Sequence, residues 1–101
     1  MADLSHQLQI QPRFGARSRA LVVDGHATAR SMVASQLRGL GVGQVLHCAT
    51  AHDARQHMAN LGVDVLLVEY RLDNDIQGQT LIDELRRVMM PGRDISFHCM
   101  D

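Results

Sequence analysis

Short aliphatic segments alternate with amphipathic helical segments, and this alternation constrains the fold of the chain more than any other feature. Residues 20–24, 44–48, 63–69 and 94–100 are short segments in which apolar residues predominate, and each is predicted to form a strand. The segments between them repeat apolar residues at helical spacing and end near Gly or Pro-Gly. The order β-α-β-α-β-α-β is typical of a parallel sheet with helices on both faces.

The second helix has the clearest predicted start, because Thr50 is followed by Asp53 in a capping-box pattern. Residues 1–19 are polar and are interrupted by Pro12 and Gly15, so they are predicted to form a flexible N-terminal arm. The folded domain is predicted to begin at Ala20 and to extend to residue 101.

Composition excludes several classes of function. All ten basic residues are arginine, which excludes lysine nucleophiles, Schiff bases and P-loop lysines. A net charge of -1 and 3% aromatic residues argue against nucleic acid as a partner. The two cysteines suggest no disulfide scaffold, and neither a secretory signal nor a membrane-spanning run is apparent, which predicts a cytoplasmic protein.

Two carboxylates are expected at the carboxyl ends of neighbouring strands. Asp24 ends the first strand and Glu69 ends the third, and function in such sheets sits at these strand ends. A pair of this kind can bind a hard divalent cation, or can hold the two pKa values apart. Strand ends also carry polar residues simply because the chain leaves the core there, so both interpretations remain open.

Three segments resemble a response-regulator receiver domain, the CheY-like family. Residues 20–30 (ALVVDGHATAR) are similar to its first strand, acidic turn and helix start, and residues 64–69 (DVLLVE) to its third strand, which ends in the phosphoacceptor aspartate. Gly78, followed by residues 81–86 (LIDELR), is similar to its next glycine and amphipathic helix. The resemblance covers residues 20 to about 100.

This resemblance implies a flavodoxin-like α/β fold with four strands and three helices, in which residues 20–101 form an incomplete receiver-like domain without the fifth strand and fifth helix. In a working receiver, a histidine kinase donates a phosphoryl group to an aspartate. Mg²⁺ and a lysine neutralise the transferred group, and a Thr or Ser reads the new state.

The sequence departs from this pattern at nearly every chemical position. Gly25 stands where the second acid would bind the metal, Glu69 occupies the phosphoacceptor position, and Cys99 or Met100 stands where a hydroxyl is expected. We therefore expect a degenerate receiver (a pseudo-receiver) that is not an enzyme and acts as a protein-interaction module of a phosphorelay. Its partner would be a histidine kinase or a downstream regulator, with neither nucleic acid nor membrane involved. No cofactor is expected beyond weak Mg²⁺ binding by Asp24 and Glu69.

Several alternatives remain open at this point. Glu69 either imitates the activated state or marks a degenerate site. An atypical phosphoacceptor would use Glu69, or Asp73 or Asp75 of the following loop, with Mg²⁺. An unrelated small α/β module, such as a STAS-like regulator, is the third possibility. The spacing of His47, His52 and His57 is unlike that of helical metal motifs, so no zinc site is predicted from them.

The fourth strand is expected to lie at an edge of the sheet. Ile95, Phe97 and Cys99 should share one side of this strand and face water on the side of the first helix. Exposed strand edges and apolar patches favour pairing with another chain. A homodimer through this edge region is therefore predicted.

Overall fold

The predicted alternation of strands and helices is present in the computed structural model, which describes residues 14–72, 77–89 and 94–100. The elements are β1 (Arg19–Val23), α1 (Ala27–Gly39), β2 (Gln44–Cys48), α2 (Ala51–Asn60), β3 (Val65–Glu69), α3 (Gly78–Met89) and β4 (Ser96–Met100). β3 begins at Val65 rather than at residue 63, and the Asp64 carboxylate accepts the Arg19 N–H at 2.8 Å just before β3 pairs with β1.

The four strands form one parallel sheet in the order β2-β1-β3-β4. β1 pairs with β2 on one side and with β3 on the other, and Val23 lies opposite both Cys48 and Val68. This arrangement confirms the predicted flavodoxin-like fold with four strands and three helices among the described residues.

Both faces of the central strands are buried, which explains why these segments are continuously apolar. Leu21 and Val23 of β1 pack on the side of α2 and α3, whereas Ala20 and Val22 pack on the side of α1. All four side chains have 0% exposure. The sheet is thus the middle layer, with one helix on one face and two on the other.

The local signal at the start of α2 is confirmed. The Thr50 hydroxyl accepts a hydrogen bond from the Asp53 N–H at 3.1 Å. Such a cap satisfies one of the backbone donors that a helix leaves unpaired at its first turn.

The folded part extends beyond the predicted boundary at residue 20. Arg19 belongs to β1, and Phe14 packs against the core on the α1 side. Gly43 N–H donates to the Gly15 carbonyl at 3.0 Å, and a Cβ at Gly43 would overlap the Ala16 carbonyl oxygen. Residues 14–19 therefore contact the folded domain, while residues 1–13 of the predicted arm lie outside the described residues.

The predicted orientation of the β4 side chains is wrong. Ile95 is buried, at 6% exposure, and Phe97 and Cys99 are half-buried, so this set does not simply face water. All three pack on the α2 and α3 side, because Phe97 and Cys99 lie in register with Leu66 and Val68, which face that side. The alternate residues of β4, Ser96, His98 and Met100, belong to the α1 side.

The α1 side of β4 is more polar than the opposite side. Ser96 Oγ and His98 Nε2 are joined by a hydrogen bond of 2.9 Å, and burial lowers the pKa of His98. Met100 is the last residue of the strand, and its side chain lies in the α1-side core.

None of the helices in the described part of the chain is long and apolar enough to cross a membrane.

Candidate functional site

The carboxyl edge of the sheet brings Asp24 and Glu69 together, as predicted. Asp24 directly follows β1 and Glu69 ends β3, and the pairing of Val23 with Val68 aligns the two strand ends. Asp24, Glu69 and His26 each place one potential ligand atom within 4.8 Å of those of the other two. The juxtaposition is confirmed, whereas the roles of the two acids remain predictions.

Asp24 is the more deeply placed of the two acids, with 5% exposure. Its carboxylate oxygen Oδ1 accepts the His26 N–H at 2.8 Å, which closes a tight turn before α1. Arg30 donates to the Asp24 backbone carbonyl at 2.8 Å and to His47 Nδ1 at 3.2 Å. Its guanidinium is therefore held against the backbone and β2.

Glu69 lies in a less favourable environment for a charged carboxylate. Its Oε2 atom is buried and has no hydrogen-bond partner among the described residues. Burial raises the pKa of Glu69, and hydrogen bonding to Asp24 and the charge of Asp24 raise it further. The charge of His26 and the Gly25 backbone N–H oppose this effect. The protonated form of Glu69 is consequently favoured beyond what is usual for glutamate.

His26 completes the cluster, and sequence reasoning missed it. Its Nδ1 lies 3.6 Å from Asp24 Oδ1 and 3.6 Å from Glu69 Oε1, with 78% of its side chain exposed. His26 is the N-cap residue of α1, but its side chain makes no capping hydrogen bond. The sequence did contain one indication of this role, because His26 follows Asp24 by two residues. In a turn of that spacing the imidazole ring lies close to the carboxylate.

The start of α3 lies closely against the end of β3. Gly78 N–H donates to the Tyr70 carbonyl at 2.7 Å. A Cβ at Gly78 would overlap the Glu69 carbonyl oxygen and would lie 3.0 Å from Val68 Cγ1. The glycine at the start of α3 therefore permits the backbone contact that fixes the position of Glu69.

Among the described residues, the other positions named from sequence contribute no polar side chain beside Glu69. Gly25 has no side chain, and Met100, rather than Cys99, is paired with Glu69 across the two strand ends. Cys99 packs against the opposite core, toward α2 and α3. Asp73 and Asp75, the alternative acids of the loop, lie outside the described residues.

The thiol of Cys48 also falls outside the site. It lies in the core on the α2 and α3 side, and burial raises its pKa to about 11. A thiol with such a pKa is almost entirely protonated at neutral pH, which argues against a nucleophilic role.

Solved response-regulator structures have a similar fold. MaeR bound to beryllium trifluoride matches with a TM-score of 0.71 and 19% identity, over 82% of this chain and 66% of that one. An aspartate-to-alanine mutant of MaeR bound to sulfate gives a TM-score of 0.72 and 18% identity, over the same shares, 82% and 66%. A receiver protein from Pseudomonas putida gives 0.69 and 23% identity, over 86% of this chain and 71% of that one.

These likenesses establish the fold of a receiver domain. The chain spans about two thirds of the length of the MaeR chains, at 66%. No family model and no curated protein matches the sequence.

We predict that Gly78→Ala destabilises the protein by about 1–3 kcal/mol, because the added methyl group displaces the Glu69 backbone. Gly39→Ala is the matched control. Gly39 lies in the last turn of α1 with nothing within 4 Å of an added Cβ, so this change should be neutral or slightly stabilising. Urea unfolding followed by circular dichroism measures both, and equal effects of the two substitutions would contradict the account.

Proposed function

We propose that this chain is a receiver-type module of two-component signalling that acts by contacting a protein partner and does not accept a phosphoryl group. The receiver fold supports the general assignment. The partner is a histidine kinase or a downstream regulator, and the module works beside it in the cytoplasm. It has no enzymatic activity of its own in this proposal.

The main support is the state of the Glu69 carboxylate. Attack on phosphorus needs a deprotonated oxygen that the donor can approach. Oε2 is buried, and Oε1 lies 3.6 Å from His26 Nδ1. The raised pKa of Glu69 further disfavours the ionised form. One oxygen is thus buried, and the other lies beside the His26 ring.

The groups that the receiver resemblance implies for stabilising a transferred phosphoryl group are not all present in this chain. Such a group carries negative charge that cations or hydrogen-bond donors must neutralise. The chain contains no lysine, and Gly25 adds no metal-binding oxygen from its side chain. A charged phosphoryl group would instead sit beside the Asp24 carboxylate.

Among the remaining alternatives, degeneracy explains more than imitation of the activated state. Met100 beside Glu69 has no hydroxyl that would read a change in charge. A STAS-like module is disfavoured by the likeness to receiver folds. The experiment that tests phosphorylation of Glu69 also detects phosphorylation of Asp73 or Asp75.

We predict no mass gain of one phosphoryl group when the chain is incubated with acetyl phosphate and Mg²⁺ and analysed by intact mass spectrometry. A competent receiver treated in parallel checks the reagents. A phosphoryl adduct that is lost in Glu69→Gln but retained in Asp83→Asn, an exposed acid on α3, would refute the proposal. An adduct that is lost only in Asp73→Asn or Asp75→Asn would refute it equally.

A homodimer through β4 is the second element of the proposal. Among the described residues β4 pairs only with β3, so its other edge is open for pairing. Phe97 and Cys99 are half-buried beside this edge, and the Arg86 guanidinium lies 5.1 Å from the centre of the Phe97 ring. Because Ile95 is buried in the core, the contact would involve the outer backbone of β4 with Phe97 and Cys99.

We predict a dimer mass for the wild-type chain by light scattering at micromolar concentration and a monomer mass for Phe97→Asp. Met32→Asp is the matched control, because Met32 is 47% exposed on α1, which packs against β1 and β2. It should leave the dimer intact. Circular dichroism must show that both variants are folded. A monomeric wild-type chain, or a dimer that survives Phe97→Asp, contradicts this interface.

A further inference from the structure

The three ligand atoms at the carboxyl edge do not suit the cation that the receiver resemblance implies. Mg²⁺ prefers oxygen ligands in a near-ideal octahedron and keeps most of its waters. Here Gly25 offers no side-chain oxygen, and the third donor of the cluster is an imidazole nitrogen of His26. Imidazole is a ligand that suits Zn²⁺, Cu²⁺ and Ni²⁺ better than Mg²⁺. Compared with the metal site of a working receiver, this cluster therefore has fewer side-chain oxygen ligands and has gained a nitrogen ligand.

We propose that Asp24, His26 and Glu69 bind a divalent transition-metal ion of the Zn²⁺ type, with each side chain contributing one ligand atom. This inference is independent of the proposed signalling function, because it requires only the three side chains and their geometry.

The distances between ligand atoms fit such an ion. Tetrahedral Zn²⁺ with bonds of 2.0–2.2 Å separates its ligand atoms by about 3.3–3.6 Å. His26 Nδ1 lies 3.6 Å from Asp24 Oδ1 and 3.6 Å from Glu69 Oε1. All three ligand atoms lie within 4.8 Å of one another. Small side-chain rotations would therefore complete the coordination geometry.

The ligands of the cluster differ in exposure, which leaves a route for an ion from solvent. The side chains of Asp24 and Glu69 are only 7% and 23% exposed, so they are recessed at the strand ends. The His26 side chain is 78% exposed and lies at the mouth. An ion can thus enter from solvent, and the imidazole can close over it by rotation without disturbing the core.

The electrostatics of the site favour a cation. Two carboxylates lie close together in a chain without lysine, and Arg30 is hydrogen-bonded to backbone and to His47 rather than to either carboxylate. The buried Oε2 of Glu69 has no partner within the described part of the chain. A divalent ion held by both carboxylates would offset their mutual repulsion. Three protein ligands leave a fourth position for water or for a donor from a partner.

Titration calorimetry of the tag-free, chelator-treated full chain with ZnCl₂ and with MgCl₂ tests the proposal. We expect one saturable Zn²⁺ site per chain and no saturable Mg²⁺ binding at the same concentrations. His26→Ala should weaken Zn²⁺ binding at least about tenfold, since loss of even an outer-shell partner of a ligand costs 10–100-fold. This variant should remain folded, because the His26 side chain is exposed and makes no capping bond.

His52→Ala is the matched control, because His52 is exposed on α2 and lies outside the cluster. It should bind Zn²⁺ as the wild-type chain does. Co²⁺ substitution gives a second readout, in which visible d–d bands without a thiolate charge-transfer band indicate nitrogen and oxygen ligands. Unchanged Zn²⁺ affinity in His26→Ala, equal affinity for Mg²⁺, absence of saturable Zn²⁺ binding, or a thiolate band from Cys48 or Cys99 would each overturn the proposal.

Discussion

The pairing of β1 with both of its neighbours is the interaction on which the rest of the structure depends. Four consecutive residues of β1, at positions 20–23, have 0% exposure, and they alternate between the two cores. A slip of one residue in this pairing would exchange the two faces of the strand. The same register, with Val23 opposite Val68, places Asp24 beside Glu69. Core packing and the candidate site are therefore fixed by one set of strand contacts.

This packing holds the carboxyl groups of Asp24 and Glu69 close together, although their negative charges repel each other. Burial and Asp24 raise the pKa of Glu69, so the native state binds that proton more tightly than the unfolded chain does. The protonated form stabilises the native state at low pH, and this contribution is lost as pH rises through the raised pKa. Above that pH the ionised Glu69 opposes folding. The charge of His26 offsets part of this cost, and a bound cation would offset more.

The sequence predicted most of the fold but less of the site. Alternating strands and helices specified a parallel sheet, and the acids at the strand ends specified where Asp24 and Glu69 meet. The side on which Ile95 lies could not be predicted, because apolar alternation in a strand does not show which face packs against which helices. Whether Cys99 or Met100 lies beside Glu69 depends on the pairing register of β3 and β4, which the sequence pattern does not show either. His26 escaped notice because an exposed histidine after a turn resembles an ordinary surface residue.

The central claim about the site is that burial and the neighbouring Asp24 raise the pKa of the Glu69 carboxyl. The chain contains two glutamates, Glu69 and Glu84, and Arg55 beside Glu84 lowers the pKa of that second carboxyl. Carbon-13 NMR of the two side-chain carboxyl groups during a pH titration in metal-free buffer measures both at once. We expect Glu69 to titrate above Glu84, and higher still in His26→Ala. A Glu69 midpoint at or below that of Glu84 would contradict this claim.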